Sequence, residues 1–256
     1  MTAALCLRRH GIEVDVYEQA PELREAGAGV QISPNAARLL HRLGLGAQLD
    51  RVGVWPDALV MRRWDDNSVI VEQPAGKAIE ERFGAPYDTL HRADLHPILV
   101  DALPRDVIHT GHRLVDVEQN RLVFDNGAHV QASVVIGADE LRSVVMGRPR
   151  PTSRLLPGPV RDPAQLGAQG AAQAIDDGWV LARCMAALTR PVPERLRLYE
   201  ELCSRRVAQV QVGSRSTPGF PSVRRCPATA TRPASTSTAP DRVIRSSARP
   251  SGTVHP

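Results

Sequence analysis

Residues 14–35 read VDVYEQAPELREAGAGVQISPN, and this stretch decides the fold. It opens with a short apolar strand, Val14 to Tyr17, that ends on an acid, Glu18. The preceding AALCLRRHG has a helical pattern that closes on Gly11, a residue suited to the left-handed conformation after a helix. Helix, glycine, strand and terminal acid form the second half of a dinucleotide-binding βαβ unit, in which the acid accepts a hydrogen bond from a ribose hydroxyl. An ordinary αβ unit with a solvated acid has the same pattern.

The next segments alternate between helical and β patterns. Residues 36–53 have leucines at spacings of three and four, which predicts one amphipathic helix with Ser33 or Asn35 as its cap. Residues 54–90 have the β-rich composition of strands broken by proline and glycine. An apolar helix is predicted over 95–103.

Residues 107–136 alternate in the manner of an antiparallel β meander, and Asn126-Gly127 predicts one of its hairpin turns. His109 and His112 lie three residues apart in this region. On a continuous strand that spacing places them on opposite faces, which argues against a metal site.

The length and composition of the chain exclude several classes of protein. At 256 residues it can bury one large core or two modest ones. No apolar run approaches 18 residues and no secretory start is present, so neither a transmembrane helix nor membrane association is expected. The net charge of +4 is unevenly distributed along the chain, because residues 203–256 contain nine arginines and only one acid. The cysteines have neither CxxC nor zinc spacing, which predicts a reduced cytoplasmic protein without a metal; they are Cys6, Cys184, Cys203 and Cys226.

The chain beyond residue 146 divides into three parts. Residues 147–166 are rich in proline and arginine and predict an irregular linker. Residues 167–212 predict two helices, the second with Pro193 in its first turn. Residues 213–256 contain no leucine and one aromatic residue, which predicts a disordered basic tail. The tail lacks the interleaved aromatic residues of single-strand binders, so nucleic acid is not an expected partner.

Four segments, in this order, resemble FAD-dependent aromatic-ring monooxygenases of the salicylate hydroxylase type. They are PELREAGAGVQISPNAARLLHRLGLG at 21–46, LHRADLHPILVDAL at 90–103, SVVIGADELRSVV at 133–145 and GAQGAAQAIDDGWVLA at 167–182. The resemblance covers roughly residues 2 to 146 and 167 to 205. It implies FAD as the cofactor, NAD(P)H as the co-substrate and a small aromatic compound as the substrate.

The resemblance implies cofactor contacts, and no catalytic residue can be named from it. It places Arg92 beside the flavin or its pyrophosphate, where a guanidinium binds phosphate or carbonyl oxygens well. It also implies that the small residues after residue 167 let the backbone approach the flavin ring. The N–H groups at the start of the helix that follows then lie near the pyrimidine oxygens of the flavin. A surface arginine and a closely packed helix start are the respective alternatives. The implied cofactor-binding residues are Glu18, Gly29, Arg92, Asp139, Gly170 and Ala171.

The chain also departs from the family pattern. Glu140 stands where the family has glycine, and Met146 where it has arginine. A glutamate obstructs close approach of the backbone to a cofactor and repels phosphates, so reduction by NAD(P)H is expected to be impaired. The sequence contains neither the first strand with its GxGxxG turn nor the GDAAH turn. We therefore expect an incomplete family member that hydroxylates poorly or not at all.

The sequence thus predicts an α/β protein with a Rossmann-like FAD-binding fold, an antiparallel β meander, the remnant of a substrate-facing β-sheet, C-terminal helices and a disordered tail. Residues 1–146 form a partial FAD-binding domain in this prediction, with the substrate-sheet remnant at 54–90. An irregular linker at 147–166, flavin-side helices at 167–212 and the tail at 213–256 follow. Two alternatives are a non-catalytic flavin- or nucleotide-binding protein and a degenerate product whose basic tail has nonspecific affinity for nucleic acid.

Overall fold

The computed structural model describes residues 1–23, 29–118, 120–138, 144–145, 155–157 and 170–215. Its helices are α1 (Thr2–Arg9), α2 (Pro34–Arg42), α3 (Gly46–Val52), α4 (Lys77–Phe83), α5 (Arg92–Asp101), α6 (Gly170–Met185) and α7 (Val192–Arg215). Its strands are β1 (Val16–Tyr17), β2 (Gly29–Ile32), β3 (Ala58–Arg62), β4 (Val69–Pro74), β5 (Asp88–His91), β6 (Ile108–His109), β7 (Leu114–Glu118), β8 (Arg121–Phe124), β9 (His129–Gln131), β10 (Val135–Gly137) and β11 (Leu155–Pro157).

The described strands form small parallel and antiparallel sheets. The pairs β1–β6 and β10–β11 are parallel. The pairs β2–β5 and β3–β4 are antiparallel. Strands β7, β8 and β9 form the predicted antiparallel meander. Helices combined with parallel and antiparallel strands confirm the α/β class.

The segment predicted as one helix over 36–53 forms two helices, because Gly44 separates α2 from α3. Gly44 has a φ of 85°, a left-handed conformation that a glycine adopts without strain. Ser33 precedes α2 as the predicted cap residue. Its hydroxyl, however, donates to the side chain of Asn35 at 2.6 Å and does not cap the helix.

Other elements differ from the sequence prediction in detail. Helix α4 interrupts the 54–90 stretch, which the sequence predicts as β. Strand β11 lies inside the 147–166 segment predicted as irregular, and it pairs in parallel with β10. Gly11 follows α1 with a φ of 73°, as predicted. Helix α7 extends the predicted helix by a few residues at its C-terminal end.

Helix α6 packs against α1 on one side and α7 on another. At the α1–α6 crossing, Gly178 faces the backbone of α1. A Cβ atom at Gly178 would lie 2.9 Å from both the N and Cα atoms of Ala3. The missing side chain therefore allows the two helices to approach closely. The buried core of this helical layer contains Cys6, Leu7, Leu181, Ala182, Cys184, Met185, Leu196, Tyr199 and Cys203.

A second core lies where α2, α3, α5 and α6 meet the β2–β5 sheet. Its buried residues include Ile32, Leu40, Leu49, Leu90, Leu95, Ala172 and Ile175. Met1 precedes α1 and Leu5 lies within it, and both pack against this core. Both also pack against the small core of Ala4, Leu103 and Val107, to which Val16 of β1 contributes. Helix α1 therefore links the β1–β6 pair to α6.

The β3–β4 hairpin lies at the surface. Every residue of β4 is exposed, and so are the last three residues of β3. Most of these side chains are apolar. The exposed large apolar residues of the hairpin and its turn are Val60, Met61, Trp64, Val69, Ile70 and Val71.

Candidate functional site

Glu18 lies at the carboxyl end of β1, as the sequence predicts. Its backbone N–H donates to the carbonyl oxygen of His109 at 2.9 Å and so continues the β1–β6 pairing by one residue. Its carboxylate Oε1 accepts a hydrogen bond from the N–H of Ala20 at 2.8 Å. The chain after the strand therefore orients the acid locally, at the end of a parallel strand where nucleotide-binding folds place their ligand.

Aromatic rings lie beside Glu18. Tyr17 stacks on His109 with ring centroids 4.8 Å apart, and the ring centroid of Phe124 lies 4.9 Å from that of Tyr17. Nε2 of His109 lies 2.9 Å from Oδ1 of Asp15. Burial raises the pKa of Tyr17, and the nearby Asp15 carboxylate adds to the rise.

The prediction that His109 and His112 lie on opposite faces of one strand is wrong. Their rings belong to the same cluster, with centroids 6.1 Å apart. The reason is that β6 ends at His109 and the chain then turns through Gly111, so the alternation of a continuous strand does not apply. Within the described residues, no group of three histidine, cysteine, aspartate or glutamate side chains is arranged to hold a metal ion.

Gly29 and Arg92 come together through the β2–β5 pair. Gly29 is paired with His91, and Arg92 follows directly as the first residue of α5. Both Gly29 and Arg92 are exposed. No atom of the described residues lies within 4 Å of where a Cβ atom at Gly29 would be, so this part of the structure leaves the space beside its backbone open.

The start of α6 lies in the same region, because α6 contacts β2. Nδ2 of Asn35 in α2 donates to Oδ2 of Asp176 at 2.5 Å, which ties the first turn of α2 to α6. Gly170 begins α6 and is exposed, and none of the residues that the structure describes has an atom within 4 Å of where its Cβ would be. Gly29, Arg92, Gly170 and the adjoining Ala171 therefore lie on elements that share one core.

Gln173, in the first turn of α6, is a residue that sequence reasoning missed. It is 6% exposed, and its Oε1 has no hydrogen-bond partner among the described residues. Leaving a buried carbonyl oxygen without a hydrogen bond costs free energy, and most buried polar groups in folded proteins have a partner. The first turn of α6 is therefore a place where a ligand could supply a donor. A glutamine in a helix of small residues gives no signal of this in the sequence.

Asp139 lies outside the described residues, as does Glu140. Strand β10 ends at Gly137, two residues before Asp139. The predicted site residues that are described form two groups, Glu18 with its aromatic neighbours and the Gly29, Arg92 and Gly170 region. Helix α1 connects the two groups through packing, because Leu5 packs against the core of the Gly29, Arg92 and Gly170 region and also against the core to which Val16 of β1 contributes.

Asp88 is a buried carboxyl that sequence reasoning also missed. It begins β5, four residues before Arg92, and is 1% exposed. A Cβ atom at Gly53 would lie 2.9 Å from its Oδ1. Burial raises the pKa of Asp88 to about 6; the nearby Glu80 adds to the rise and the Trp55 indole opposes it. An aspartate in a β-rich segment is ordinarily expected at the surface, so no sequence pattern signals this burial.

Individual enzymes are similar to the chain in sequence, although no family model matches it. It is 43% identical over 149 residues to a 3-amino-4-hydroxybenzoate 2-monooxygenase of Streptomyces cremeus, and 38% identical over 145 residues to a 6-hydroxynicotinate 3-monooxygenase of Pseudomonas fluorescens. The chain is homologous to aromatic-ring monooxygenases. The two alignments cover 57% and 55% of this chain, and 38% of each monooxygenase, so the chain spans about two fifths of the length of these relatives.

A solved structure has the same fold over a larger share of the chain. Klebsiella pneumoniae HpxO, complexed with FAD and uric acid, matches with a TM-score of 0.66 over 84% of this chain and 84% of that chain. The sequence identity is 17%, so the likeness establishes the fold alone. The fold is the Rossmann-like fold of FAD-binding monooxygenases, which confirms the predicted fold class. None of the helices in the described part of the chain is long and apolar enough to span a membrane.

Proposed function

We propose that this monooxygenase homologue binds FAD and takes part in the hydroxylation of a small aromatic compound, with NAD(P)H as the reductant. The observation that carries the proposal is the pair of residue groups linked by α1. FAD is an extended molecule with an adenosine half and a flavin half. Glu18 suits the ribose of the first half, and the region of Gly29, Arg92 and Gly170 suits the ring of the second.

The chemistry of these residues fits FAD. The Ala20 N–H orients the Glu18 carboxylate through Oε1, and Oε2 is the acceptor for a ribose hydroxyl. Within the described part of the chain, no atom crowds the backbone at Gly29 or Gly170, which allows a flat ring to approach. Arg92 offers a planar set of donors for pyrophosphate or carbonyl oxygens. When bound, FAD supplies the redox chemistry, and the protein supplies binding and orientation.

The proposed substrate class is a hydroxylated aromatic carboxylic acid. The monooxygenase from S. cremeus is named for 3-amino-4-hydroxybenzoate and that from P. fluorescens for 6-hydroxynicotinate. Both compounds carry a hydroxyl group and a carboxylate on one aromatic ring. A cytoplasmic location is part of the proposal, because the three described cysteines, Cys6, Cys184 and Cys203, are buried free thiols.

Slow turnover is also part of the proposal. Glu140 follows Asp139 where the family resemblance implies a glycine. A carboxylate and a Cβ atom at this position oppose the approach of phosphates and of a second cofactor. We therefore expect the chain to bind FAD and the bound flavin to be reduced only slowly by NAD(P)H. Where water reaches the flavin ring, reducing equivalents are lost as hydrogen peroxide, so peroxide is the expected main product.

The purified chain tests this proposal directly. Titration with FAD should show saturable binding, followed by the absorbance of the flavin at about 450 nm. NADH or NADPH should be oxidised slowly in the presence of 3-amino-4-hydroxybenzoate or 6-hydroxynicotinate, with peroxide as the main product. Absence of FAD binding would overturn the whole proposal. Stoichiometric hydroxylation would overturn the expected loss to peroxide, and rapid NAD(P)H oxidation would overturn slow turnover. FAD binding without any reduction by either nucleotide would instead favour a non-catalytic flavoprotein.

Replacing Glu18 with alanine should weaken FAD binding by about 1–3 kcal/mol, because a hydrogen bond to a charged group is lost. The affinity is measured by titration of the apoprotein. Glu13→Ala is the matched control, since Glu13 is an exposed carboxylate just before β1. Equal FAD affinity of the Glu18 and Glu13 variants would contradict the assignment of Glu18.

Replacing Arg92 with lysine should release flavin during gel filtration although the charge is kept. A lysine is a point charge and does not reproduce the planar pair of donors. Retained flavin is measured as the ratio of visible to ultraviolet absorbance. Arg105→Lys serves as the control, because Arg105 is an exposed arginine after α5. If the Arg92 variant retains as much flavin as the control, Arg92 is a solvated surface residue.

A further inference from the structure

We propose that the gap between strands β1 and β10 is a binding site for an extended apolar strand supplied by another polypeptide. The incoming strand lies parallel to both and completes one sheet in the order β6, β1, incoming strand, β10, β11. This inference goes beyond the proposed function, because it rests on how the strands pair and pack.

The two parallel strand pairs correspond to the two sides of one doubly wound sheet. Within the described residues, β1 pairs only with β6, and β10 pairs only with β11. In the doubly wound order the third, second, first, fourth and fifth strands are neighbours. β1 is the second strand of the dinucleotide-binding unit and β6 is its parallel neighbour. β10 and β11 match the fourth and fifth strands, so no described strand lies at the first position, between β1 and β10.

The packing of β1 and β10 agrees with this order, because the same two layers cover both strands. Val14, just before β1, and Val134, just before β10, both pack against the core of α1, α6 and α7. On the opposite face, Tyr17 packs against the core of the β meander, which includes Val135. Two strands that share both layers without pairing are expected where a third strand fits between them, about 10 Å from one to the other.

The backbone of β1 offers hydrogen bonds on the side of this gap. The N–H of Glu18 donates to the carbonyl oxygen of His109 at 2.9 Å, so it points towards β6. Backbone groups alternate between the two edges of a strand, so the N–H and C=O of Tyr17 point towards the other edge. Such an edge is a template for pairing with another strand.

The apolar side chains beside the gap are incompletely covered. Ile136, in the middle of β10, is 37% exposed, although large apolar residues of a parallel strand are ordinarily buried. It lies on the face opposite Val135, which is the face of the helices. Val16 of β1 lies on the same face and is half-buried. A strand in the gap places an apolar neighbour beside both side chains.

These surroundings define the chemistry of the incoming strand. The helices cover one of its faces and the β meander covers the other, so its own side chains are buried on both. A strand buried on both faces is a continuous run rich in valine and isoleucine, of about five residues. Its carboxyl end lies beside Glu18 and the end of β10, where the first strand of a dinucleotide-binding unit leads into a glycine-rich turn.

A synthetic peptide tests the site on the full chain. The peptide has lysines for solubility, a fluorescein label, about five valine and isoleucine residues, and a Gly-x-Gly-x-x-Gly turn. Its fluorescence anisotropy should rise saturably as the chain is added. The matched control peptide has proline at the centre of its strand. It should bind at least about tenfold more weakly, since proline removes a donor from the ladder.

Crosslinking and variants of the chain locate the bound peptide. A photoreactive leucine at the centre of the peptide strand should crosslink to residues 14–18 and 134–137, as mapped by mass spectrometry. Ile136→Lys should weaken peptide binding at least about tenfold, because it places a charge in the apolar wall of the gap. Val71→Lys is the control, since Val71 is exposed on β4, a strand with a free edge among the described residues. Circular dichroism establishes that both variants are folded.

A second measurement links the peptide to the cofactor, and this part rests on the proposed function. The N–H groups of a glycine-rich turn bind pyrophosphate. Saturating peptide should therefore raise the affinity for FAD at least about tenfold, the effect of one or two hydrogen bonds to a charged group. A peptide with serines in place of the glycines should bind to the chain without this gain.

Several results would overturn the strand site. Absence of saturable binding would mean that the gap is closed in solution, and equal binding of the proline peptide would exclude strand pairing. Binding that survives Ile136→Lys, or that is lost with Val71→Lys, would place the peptide elsewhere, as would crosslinks confined to β4. Peptide binding at the gap without a gain in FAD affinity would support the strand site and count against the proposed FAD site.

Discussion

Replacing Gly178 with alanine is expected to destabilise the protein by about 2 kcal/mol, although alanine is the better helix former. A Cβ atom at this position would lie 2.9 Å from two backbone atoms of Ala3, so α1 and α6 would have to separate. Their separation would loosen the packing between α1 and α6 in the core that contains Cys6 and Leu181. The measurement is urea unfolding of the purified variant.

The control for this prediction is another glycine of the same helix. Gly170→Ala adds a Cβ atom that meets no atom of the described residues within 4 Å, so it should leave the stability nearly unchanged. Removing the Ala3 side chain should not rescue the Gly178 variant, because the clash is with backbone atoms. A Gly178→Ala variant as stable as the wild type would mean that the α1–α6 separation is not set by this contact.

Replacing Asp88 with asparagine should stabilise the protein above pH 6 and have little effect near pH 4. Burial raises the pKa of Asp88 from 3.8 to about 6 in the folded chain, so the folded protein holds one more proton than the unfolded chain between these pH values. The stability of the wild type therefore falls as the pH rises through this window, by about 3 kcal/mol in total. Asparagine resembles the protonated acid and does not titrate.

Thermal unfolding at pH 5 and pH 8 measures this difference. The gap between the melting temperatures of the variant and the wild type should widen from the lower to the higher pH. Asp101→Asn is the control, since Asp101 is exposed at the end of α5 and should show no such change. A constant gap for the Asp88 variant would show that its carboxyl does not titrate in this range, or that water reaches it.

The elements with strong local signals could be predicted from the sequence. The strand ending at Glu18, the glycine that closes α1, the β meander and the two C-terminal helices all follow from periodicity and turn residues. The relation to aromatic-ring monooxygenases also followed, because four short motifs occur in the right order. These features depend on residues that are close together in the sequence, so the sequence alone is enough to predict them.

Features set by distant contacts could not be predicted. The leucine pattern runs on across Gly44 because leucines of both α2 and α3 enter one core, so the pattern concealed the break that the left-handed conformation of Gly44 makes. His109 and His112 share a cluster because Tyr17, from a strand far away in the chain, packs against both of their rings and against Phe124. The burial of Asp88 and Gln173 likewise depends on the elements that cover them.

The packing of α1 on α6 has a consequence for synthesis of the protein on the ribosome. Helix α1 ends at Arg9 and α6 begins at Gly170, so α1 emerges long before the helix that buries it has been made. Its apolar residues Cys6 and Leu7, which share a buried core with α6, remain uncovered by α6 throughout that interval. Contacts between such distant segments form late and slowly, and apolar surface that waits for its partner promotes aggregation and chaperone binding. A nascent chain stalled before α6 would therefore present α1 to the folding machinery of the cell.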